Sequence, residues 1–370
     1  MRLFRSTLLT AGILLRRFSA GSTEGPVSAL RSLLPLDVQQ EFENVNRRQV
    51  AISRLCELSP DSTVERCGRQ VDTFYLPLYF YFRELLRRHR DSGKSSPLFI
   101  GVSAPQGCGK TTLTTLIEEL FEQDGSVCVS CSIDDFYLTG AAQDELAATN
   151  PTNPLLQYRG NAGTHDLALL SDTLDRLRGS VTGAVRVPRY DKSLRGGRGD
   201  RAPEESWREL RVGSAADIVL FEGWMLGFEP LPAPAVPPEL AQVNELLRRY
   251  EPVHAAMDAW LVLAVESTDY VYRWRLQAEQ NMGRQNKPRL SDDQVKDFVD
   301  RFMPAYRAYL PGLYERGPAG RGGVESGTNQ VNSDGTAVSS HQLQGHSKKK
   351  SALKILLGPD RNLLGAELIP

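Results

Sequence analysis

The chain has 370 residues, of which 41% are hydrophobic and 24% charged, and its formal net charge at pH 7 is −1. These proportions are typical of a globular protein that buries its core without disulfide bonds. The near-neutral charge argues against a dedicated nucleic-acid binder, and no apolar run approaches the roughly 18 residues that a membrane-spanning helix requires. We therefore expect neither nucleic acid nor a membrane as a partner.

The first segment of the chain has a composition of its own. Residues 1–20 hold four arginines and four hydroxyl side chains, and the first acidic residue is Glu24. An arginine-rich, acid-free leader is typical of organellar transit peptides, so we expect residues 1–30 to be removed. The stretch RRFS at residues 16–19 is similar to mitochondrial processing sites. A frayed N-terminus of a cytoplasmic protein is the alternative.

Helices and strands are predicted to alternate along the rest of the chain. Short apolar runs predict strands at 98–102, 127–133, 217–221, 259–265 and 353–357, and helices are expected at about 110–121, 166–177, 239–250, 268–281 and 292–302. Ser291 and Gln294 have the spacing of a capping box at the last of these helices. The pattern predicts an α/β fold with a doubly wound, mostly parallel sheet and helices on both faces.

Changes in composition suggest how the chain is divided. We expect a helical N-terminal extension over 37–96, a core over 97–317, a disordered Gly- and Ser-rich insertion over 318–350, and a C-terminal strand and tail over 351–370. The proline-rich stretch 230–238 is also expected to be unstructured. Cys128 and Cys131 have redox spacing but lie in an apolar run, so we interpret them as a buried structural pair in a reducing compartment.

The strongest motif follows the first predicted strand. It reads Ala104-Pro105-Gln106-Gly107-Cys108-Gly109-Lys110-Thr111-Thr112. This nearly fits the P-loop pattern, with alanine in place of its first glycine. Gly107 and Gly109 permit backbone conformations that turn amide N–H groups inward to form an anion nest. Lys110 would hold the β- and γ-phosphates of ATP and Thr111 would ligate Mg²⁺. The core is therefore expected to be P-loop NTPase-like.

Acidic residues follow the second and third predicted strands. In a parallel sheet, residues at the carboxyl ends of strands face the ligand crevice. Asp134, with Asp135 as second candidate, could orient the acceptor hydroxyl and accept its proton, as a kinase requires. Glu222 could supply the second carboxylate of a Mg²⁺ site. The alternatives are a solvated loop or helix cap for Asp134 and a simple strand-end acid for Glu222.

Two loops and one helix carry further candidate residues. The substrate-binding candidates are Tyr137, His165, Asp166, Arg189, Tyr190, Asp191 and Lys192. An exposed charged turn at 188–193 and a helix-cap role for Asp166 are the alternatives. Arg273 and Arg275 lie on a helix, on different faces, and one of them could stabilise the transferring phosphoryl group as part of a lid. A solvated basic helix face is the alternative.

Seven segments together resemble the plant-type D-glycerate 3-kinase family, within the P-loop group that also holds phosphoribulokinase, uridine kinase and pantothenate kinase. They read SAPQGCGKTTL, SIDDFYLT, YRGNAGTHDL, VPRYDKS, FEGWMLGF, WRLQAE and FMPAYRAYLPGLY, and run from about residue 98 to 315, with a weaker match at 353–362. By motif position, the resemblance implies that Lys110 and Thr111 serve ATP and Mg²⁺, that Asp134 is the base-like carboxylate, and that Glu222 lies by the metal.

The resemblance also implies a reaction, transfer of the ATP γ-phosphoryl group to the 3-hydroxyl of D-glycerate. In plants this family serves photorespiration in the chloroplast stroma, whereas the leader composition fits a mitochondrion at least as well. A sibling kinase for uridine, pantothenate or another small acceptor is one alternative, and Arg189, Lys192 and Arg195 favour an acceptor with a carboxylate over it. A nucleotide-binding regulatory module is the second alternative, but it would not need Asp134 and Asp135.

Overall fold

The computed structural model describes residues 30–35, 38–39, 41, 45–179, 183–212, 216–284, 289–321 and 349–370. Its helices are α1 (Val45–Leu58), α2 (Val64–Gln70), α3 (Leu76–Asp91), α4 (Lys110–Gln123), α5 (Gly140–Thr149), α6 (Leu167–Arg178), α7 (Ala241–Leu247), α8 (Glu251–Ala255), α9 (Tyr270–Arg284), α10 (Asp292–Asp300) and α11 (Met303–Arg316). Its strands are β1 (Leu98–Ser103), β2 (Cys128–Ser132), β3 (Gly183–Val187), β4 (Tyr190–Asp191), β5 (Asp200–Arg201), β6 (Arg208–Val212), β7 (Ile218–Gly223), β8 (Ala259–Val265), β9 (Ala352–Leu357) and β10 (Leu363–Leu368). Residues 1–29 of the predicted leader (1–30) and residues 322–348 of the predicted insertion (318–350) lie outside the described residues.

The central sheet has six strands in the order β10-β9-β8-β1-β7-β2. Every neighbouring pair is parallel except β9 and β10, which are antiparallel. Strands β1, β7, β8 and β9 are buried along their whole length, which explains why they read as continuous apolar runs. The predicted α/β, doubly wound, mostly parallel sheet is confirmed. The antiparallel edge strand β10 was not predicted because its half-exposed LLGAEL sequence is interrupted by glycine.

Alternate residues of the sheet face two separate hydrophobic cores. Phe99 of β1 belongs to one core with side chains of α6, α7 and α11, whereas Ile100 belongs to the other with side chains of α3 and α4. The N-terminal helices therefore cover one face of the sheet: the Tyr79 ring of α3 packs edge-on against Phe121 of α4, with centroids 5.0 Å apart. The predicted helical extension is thus part of the second core.

Several boundaries differ from the predictions. The second strand ends at Ser132, and residues Ile133–Phe136 form a 3₁₀ turn. Single 3₁₀ turns occupy Ala233–Ala235 and Pro238–Leu240 within and after the proline-rich stretch that was expected to be unstructured. The capping box at α10 is confirmed, because the Ser291 and Gln294 side chains each accept from the other's backbone N–H.

Two small antiparallel ribbons and three helices, α5, α8 and α11, were not predicted. Strand β3 pairs with β6, and β4 pairs with β5, outside the central sheet. These strands are short and rich in charge, so they lack the apolar runs used to find the others. Helix α11 was missed because it contains Pro311 in its interior, a residue that usually breaks a helix. Helix α5 has a weakly segregated apolar face, so its periodicity is poor.

The cysteines form no disulfide. Cys56, Cys67, Cys108, Cys128 and Cys131 are all free. Burial raises the pKa of the Cys131 thiol to about 12 and that of Cys128 well above its ordinary value. The prediction that both thiols of this pair are buried is confirmed. Along the described stretches, no helix is both long and apolar enough to cross a lipid bilayer.

Arg321 joins the two points that flank residues 322–348. Its buried guanidinium donates to the carbonyl oxygens of Lys350 and Ile369, both at 2.9 Å. The backbone N–H of Lys350 in turn donates to the carbonyl oxygen of Arg321 at 3.1 Å. The chain therefore leaves the described core and returns to it at adjacent positions.

The contact between β1 and β8 leads to a stability prediction. Gly101 lies opposite Trp260 in the register, and a Cβ at position 101 would lie 2.4 Å from the buried indole. We expect Gly101→Ala to lower the free energy of unfolding by about 1–3 kcal/mol, because the indole cannot shift without overpacking the core. Urea denaturation followed by circular dichroism would measure it.

A matched control is Gly68→Ala in α2, where the added Cβ would meet its nearest atoms at 3.6 Å. That distance is ordinary contact, and alanine is the better helix former, so this variant should be neutral or stabilised by up to about 1 kcal/mol. Equal destabilisation of both variants would contradict the interpretation.

Candidate active site

A large cleft of about 1920 Å³ opens at the carboxyl ends of the central strands. Its walls come from the loop after β1, the 3₁₀ turn after β2, and the end of β7 at Glu222. The loops around β4 and β5, helix α9 and the segment around Asp360 complete it. Since parallel strands place their carboxyl ends at one edge, residues far apart in sequence meet here.

The glycines of the P-loop motif adopt the backbone conformation that the sequence predicted. Gly107 and Gly109 have φ values of +80° and +100°, and Gly109 is the N-cap of α4. A Cβ at Gly107 would lie 2.7 Å from the Cβ of Trp274, so glycine is required there on steric grounds as well. The residues Gln106 to Thr112 all line the cleft, at the positive N-terminus of α4.

The beginning of the motif lies behind the loop. Ala104 and Pro105 are buried and are not part of the cleft lining. The Nζ of Lys110 donates to their carbonyl oxygens at 3.3 and 3.4 Å. Ala104 is not one of the described non-glycine residues with positive φ, which explains why alanine can replace the usual glycine.

Asp134 is held between two donors at the floor of the cleft. The Tyr137 hydroxyl donates to its Oδ1 at 2.9 Å, and the Lys192 Nζ donates to its Oδ2 at 2.6 Å. Burial favours the neutral carboxyl, but the charges of Lys192 and Lys110 outweigh it and lower the pKa of Asp134 to about 2. Asp134 in turn raises the pKa of Lys192. The carboxylate is therefore ionised at neutral pH.

Glu222 lies deeper in the cleft and is less fully paired. Its Oε2 is buried and has no hydrogen-bond partner in the described part of the protein. Burial raises the pKa of Glu222, and the charge of Lys110 opposes that rise. Thr111, on the first turn of α4, is exposed and lines the same cleft. An unpartnered buried carboxylate oxygen and a hydroxyl in one cleft suit a hard cation with oxygen ligands.

A protein-only metal cage is absent among the described residues, where no group of three or more His, Cys, Asp or Glu side chains could hold a metal ion. A cation here would take most of its ligands from phosphate oxygens and water. Mg²⁺ is usually bound in that way, through one or two carboxylates and the phosphates of a nucleotide.

His165 and Asp166 lie behind the cleft wall and do not line it. The His165 ring stacks on Tyr137 with centroids 4.6 Å apart, and its Nδ1 is 2.7 Å from the Tyr250 hydroxyl. Burial lowers the pKa of His165 to about 4, so the ring is neutral. Asp166 caps α6 by accepting from the Leu169 N–H at 3.1 Å. These contacts support the position of Tyr137, and direct substrate contact by His165 or Asp166 stays a prediction.

The loop 188–193 contributes unequally to the cleft. Asp135 accepts from the Tyr190 backbone N–H at 3.3 Å, and burial raises the pKa of Asp135. Tyr190 lies edge-on to Tyr137 with centroids 5.3 Å apart. Arg189, exposed, also lines the cleft. Asp191 does not: its Oδ1 accepts from the N–H and hydroxyl of Ser193, as in an exposed charged turn.

The two arginines of α9 point in different directions, as their spacing predicted. Arg273 pairs with Asp360 at 2.8 Å and is not part of the cleft lining. Arg275 lines the cleft, pairs with the buried Glu279 and lies 4.7 Å from the centroid of Phe298. Arg275 is therefore the better candidate of the two for contact with a phosphoryl group.

Two contacts of the P-loop were missed by sequence reasoning. Arg361, in the turn between β9 and β10, donates from Nε to the Gly107 carbonyl at 2.7 Å and lies over the Trp274 indole. The Tyr306 hydroxyl of α11 accepts from the Gln106 N–H at 3.0 Å. Arg361 has an unusual φ of +59°, but no local sequence pattern marks either residue as a neighbour of the loop.

Comparison with known proteins finds similar sequences and structures. The sequence profile of the phosphoribulokinase / uridine kinase family matches residues 99–229. The chain is 46% identical over 257 residues to the chloroplastic D-glycerate 3-kinase of Arabidopsis thaliana, a match that covers 67% of this chain and 56% of that protein. The chain thus spans little more than half the length of this relative.

Two other relatives are matched along most of their length. An uncharacterized kinase of Schizosaccharomyces pombe is 39% identical over 226 residues, which cover 58% of this chain and 81% of that protein. The solved structure of D-glycerate 3-kinase from Cryptococcus neoformans var. grubii is 32% identical and superposes with a TM-score of 0.65. That match covers 80% of this chain and 99% of the other.

The Asp134–Lys192 pair leads to a prediction on pH dependence. Removing the Lys192 charge leaves burial as the main influence on Asp134, so Lys192→Met should raise the pKa of this carboxyl from about 2. In a ¹³C-carboxyl NMR titration, the midpoint of the Asp134 transition should lie at a higher pH than in the wild type. The folded-state pKa is depressed, so the associated stability is present above the unfolded pKa near 3.8 and is lost as pH falls toward 2.

Arg186→Met is the matched control, because Arg186 lies nearby in the chain, in strand β3, but donates to the Glu204 carbonyl and not to Asp134. Its titration curve for Asp134 should match the wild type. An unchanged Asp134 pKa in Lys192→Met would show that Lys192 does not set the ionisation of this carboxylate.

Proposed function

Because the chain belongs to the D-glycerate 3-kinase family, within the phosphoribulokinase and uridine kinase group, we propose that it transfers the γ-phosphoryl group of ATP to the 3-hydroxyl of D-glycerate. The observation that carries this proposal is the ionised Asp134 carboxylate at the floor of the cleft, fixed by Tyr137 and Lys192 and close to the P-loop lysine. A pure nucleotide-binding module would not need this carboxylate.

Asp134 has the chemistry of an acceptor-activating group. In the proposed reaction it accepts a hydrogen bond from the 3-hydroxyl and takes the proton as the new O–P bond forms and ADP leaves. Tyr137 and Lys192 hold the two carboxylate oxygens from opposite sides, so the side chain does not have to reorganise when the substrate binds.

The P-loop supplies the phosphate-binding part of the site. Its inward amides and the N-terminus of α4 bind the phosphate chain, and Lys110 moves its ammonium group from the Ala104 and Pro105 carbonyls to the phosphates. Arg275, which lines the cleft and pairs with Glu279, is the candidate for a second cation at the phosphates. Together these groups stabilise the charge that develops on the transferring group.

We also propose that Thr111 and Glu222 hold Mg²⁺ together with the nucleotide. The ion would neutralise phosphate charge in the bound nucleotide. The orphaned Oε2 of Glu222 and the raised pKa of this buried carboxyl fit a position that gains from a cation.

The cellular setting belongs to the same proposal. The composition of residues 1–20 supports an organellar leader, and the Arabidopsis relative is named chloroplastic. We propose import into a chloroplast, where the reaction would serve photorespiratory glycerate salvage, or into a mitochondrion. Fusing residues 1–30 to a fluorescent protein should direct it to one of these organelles, and diffuse cytoplasmic fluorescence would overturn the import proposal.

The reaction can be tested with a panel of acceptors. The protein without residues 1–30 would be assayed with MgATP and D-glycerate, L-glycerate, uridine, pantothenate or ribulose 5-phosphate, with ADP release as the readout. We expect turnover with D-glycerate and a product identified as the 3-phosphate rather than the 2-phosphate. Preferential turnover of uridine or pantothenate would identify a sibling kinase, and no turnover with D-glycerate would overturn the proposal.

Lys110→Ala tests the phosphate-binding role of the loop. We expect kcat to fall by roughly 100- to 1000-fold, as when one preorganised donor to a transition-state charge is removed. Lys94→Ala is the control, since Lys94 is a surface lysine 3.4 Å from Asp258, and it should retain turnover. Near-native kcat in Lys110→Ala would remove this loop from the mechanism.

A further inference from the structure

Arg159 lines the cleft on the acceptor side, one residue before a rigid stretch of backbone. The Gly160 N–H donates to the Thr164 hydroxyl at 3.0 Å, and the buried Trp224 indole donates to the Gly160 carbonyl at 3.1 Å. Gly160 has a φ of +142°, and a Cβ there would lie 2.6 Å from the Phe302 ring. The backbone that carries Arg159 is therefore fixed.

The guanidinium of Arg159 is also fixed, but by neutral groups. It donates to the carbonyl oxygens of Gly197, at 3.1 Å, and Arg198, and lies 5.5 Å from the centroid of Tyr190. These contacts orient the guanidinium without neutralising it. Within the part of the chain that the structure describes, no carboxylate forms an ion pair with Arg159.

The loop that presents those carbonyls is itself held in an unusual conformation. Arg195 has a φ of +54°, and Gly196, Gly197 and Gly199 also have positive φ. Arg195 and Arg198 both pair with Asp144 of α5, which fastens the loop to the body of the protein. A non-glycine residue in this conformation is costly and persists only where the surroundings impose it.

Several neighbouring cations on this side of the cleft already have carboxylate partners. Lys192 pairs with Asp134, Arg195 and Arg198 pair with Asp144, and Arg301 pairs with Asp297. The sequence favours Arg189, Lys192 and Arg195 for recognition of a carboxylate, but Lys192 and Arg195 are already paired. Arg189 lines the cleft and is exposed, whereas the Arg159 guanidinium is held in place by two backbone carbonyls. Arg159 combines an uncompensated charge with a preorganised fork of donors, which suits a carboxylate.

Arg159 is also linked to the reactive end of the site. Its guanidinium lies over Tyr190, whose ring is edge-on to Tyr137, and Tyr137 donates to Asp134. A small acid could place its hydroxyl at Asp134 and its carboxylate at Arg159. We propose that Arg159 forms the carboxylate-binding subsite of the acceptor; this inference rests on the proposed function and names the group that selects a hydroxy acid over a neutral alcohol.

The test compares D-glycerate with glycerol, which has hydroxyls but no carboxylate. In Arg159→Met, KM and the calorimetric Kd for D-glycerate should rise by roughly 10- to 100-fold, as expected for loss of a hydrogen-bonded charge. The ratio of kcat/KM for D-glycerate over glycerol should fall by the same factor, while KM for ATP stays unchanged. Arg159→Lys keeps the charge but lacks the fork of donors, so its KM and Kd for D-glycerate should lie between those of the wild type and Arg159→Met.

Arg301→Met is the matched control, because this arginine lines the same cleft and lies 4.2 Å from the Tyr158 centroid but is paired with Asp297. Its glycerate-to-glycerol ratio should stay within about twofold of the wild type. An unchanged ratio in Arg159→Met, or an equal loss in Arg301→Met, would overturn the inference. If Arg159→Met fails to fold, the Arg159→Lys comparison decides in its place.

The outcome for the wild type separates the two proposals. If the panel identifies another carboxylate-bearing acceptor, the proposed function fails and the Arg159 variants are compared on that acceptor and its neutral analogue. If the acceptor has no carboxylate, the inference fails as well. If no acceptor is turned over, calorimetry with D-glycerate decides: binding that is weakened in Arg159→Met supports the subsite, and absence of binding to the wild type overturns it.

Discussion

The site depends on one constraint, the parallel alignment of β1, β7 and β2 in a sheet buried on both faces. Parallel strands end at the same edge, and a strand buried on both faces presents polar groups to a ligand most readily where it ends. The P-loop, Glu222 and Asp134 are therefore gathered in one cleft although they come from three separate parts of the chain. The two hydrophobic cores hold this edge in place from both sides.

The charged groups of the cleft then fall into two classes, those that have an oppositely charged or hydrogen-bonding partner and those that lack one. Asp134 and Lys192 satisfy each other, whereas Glu222 has one oxygen without a partner and Arg159 has no paired carboxylate among the described residues. Leaving a charged group unpaired in a partly buried position costs free energy. Such a cost is tolerated in proteins where a bound ligand supplies the missing partner, so the pattern of unpaired groups outlines what the cleft is built to receive.

Local sequence patterns were sufficient to predict structural and site residues wherever a feature is formed by residues close together in the chain. The P-loop, the strand-end acids and the capping box of α10 could be predicted because each is specified within a few positions. His165 and Asp166 were assigned to substrate because donors near a helix start suit both roles, and only the tertiary contacts distinguish a cap from a ligand. Arg159 and Arg361 could not be found, because their partners are carbonyls brought close by distant turns.

The bond network of Arg321 has a consequence for how this chain tolerates change. Hydrogen bonds hold Arg321 next to Lys350, just before β9 begins. Strand β9 therefore enters the sheet from a fixed starting point, whatever lies between residues 321 and 349. The entropic cost of closing a flexible loop grows only slowly with its length, by about 0.6 kcal/mol for each doubling. The strand register of β9 and the turn bearing Arg361 are thus held by hydrogen bonds among the described residues and do not depend on the number of residues between Arg321 and Lys349.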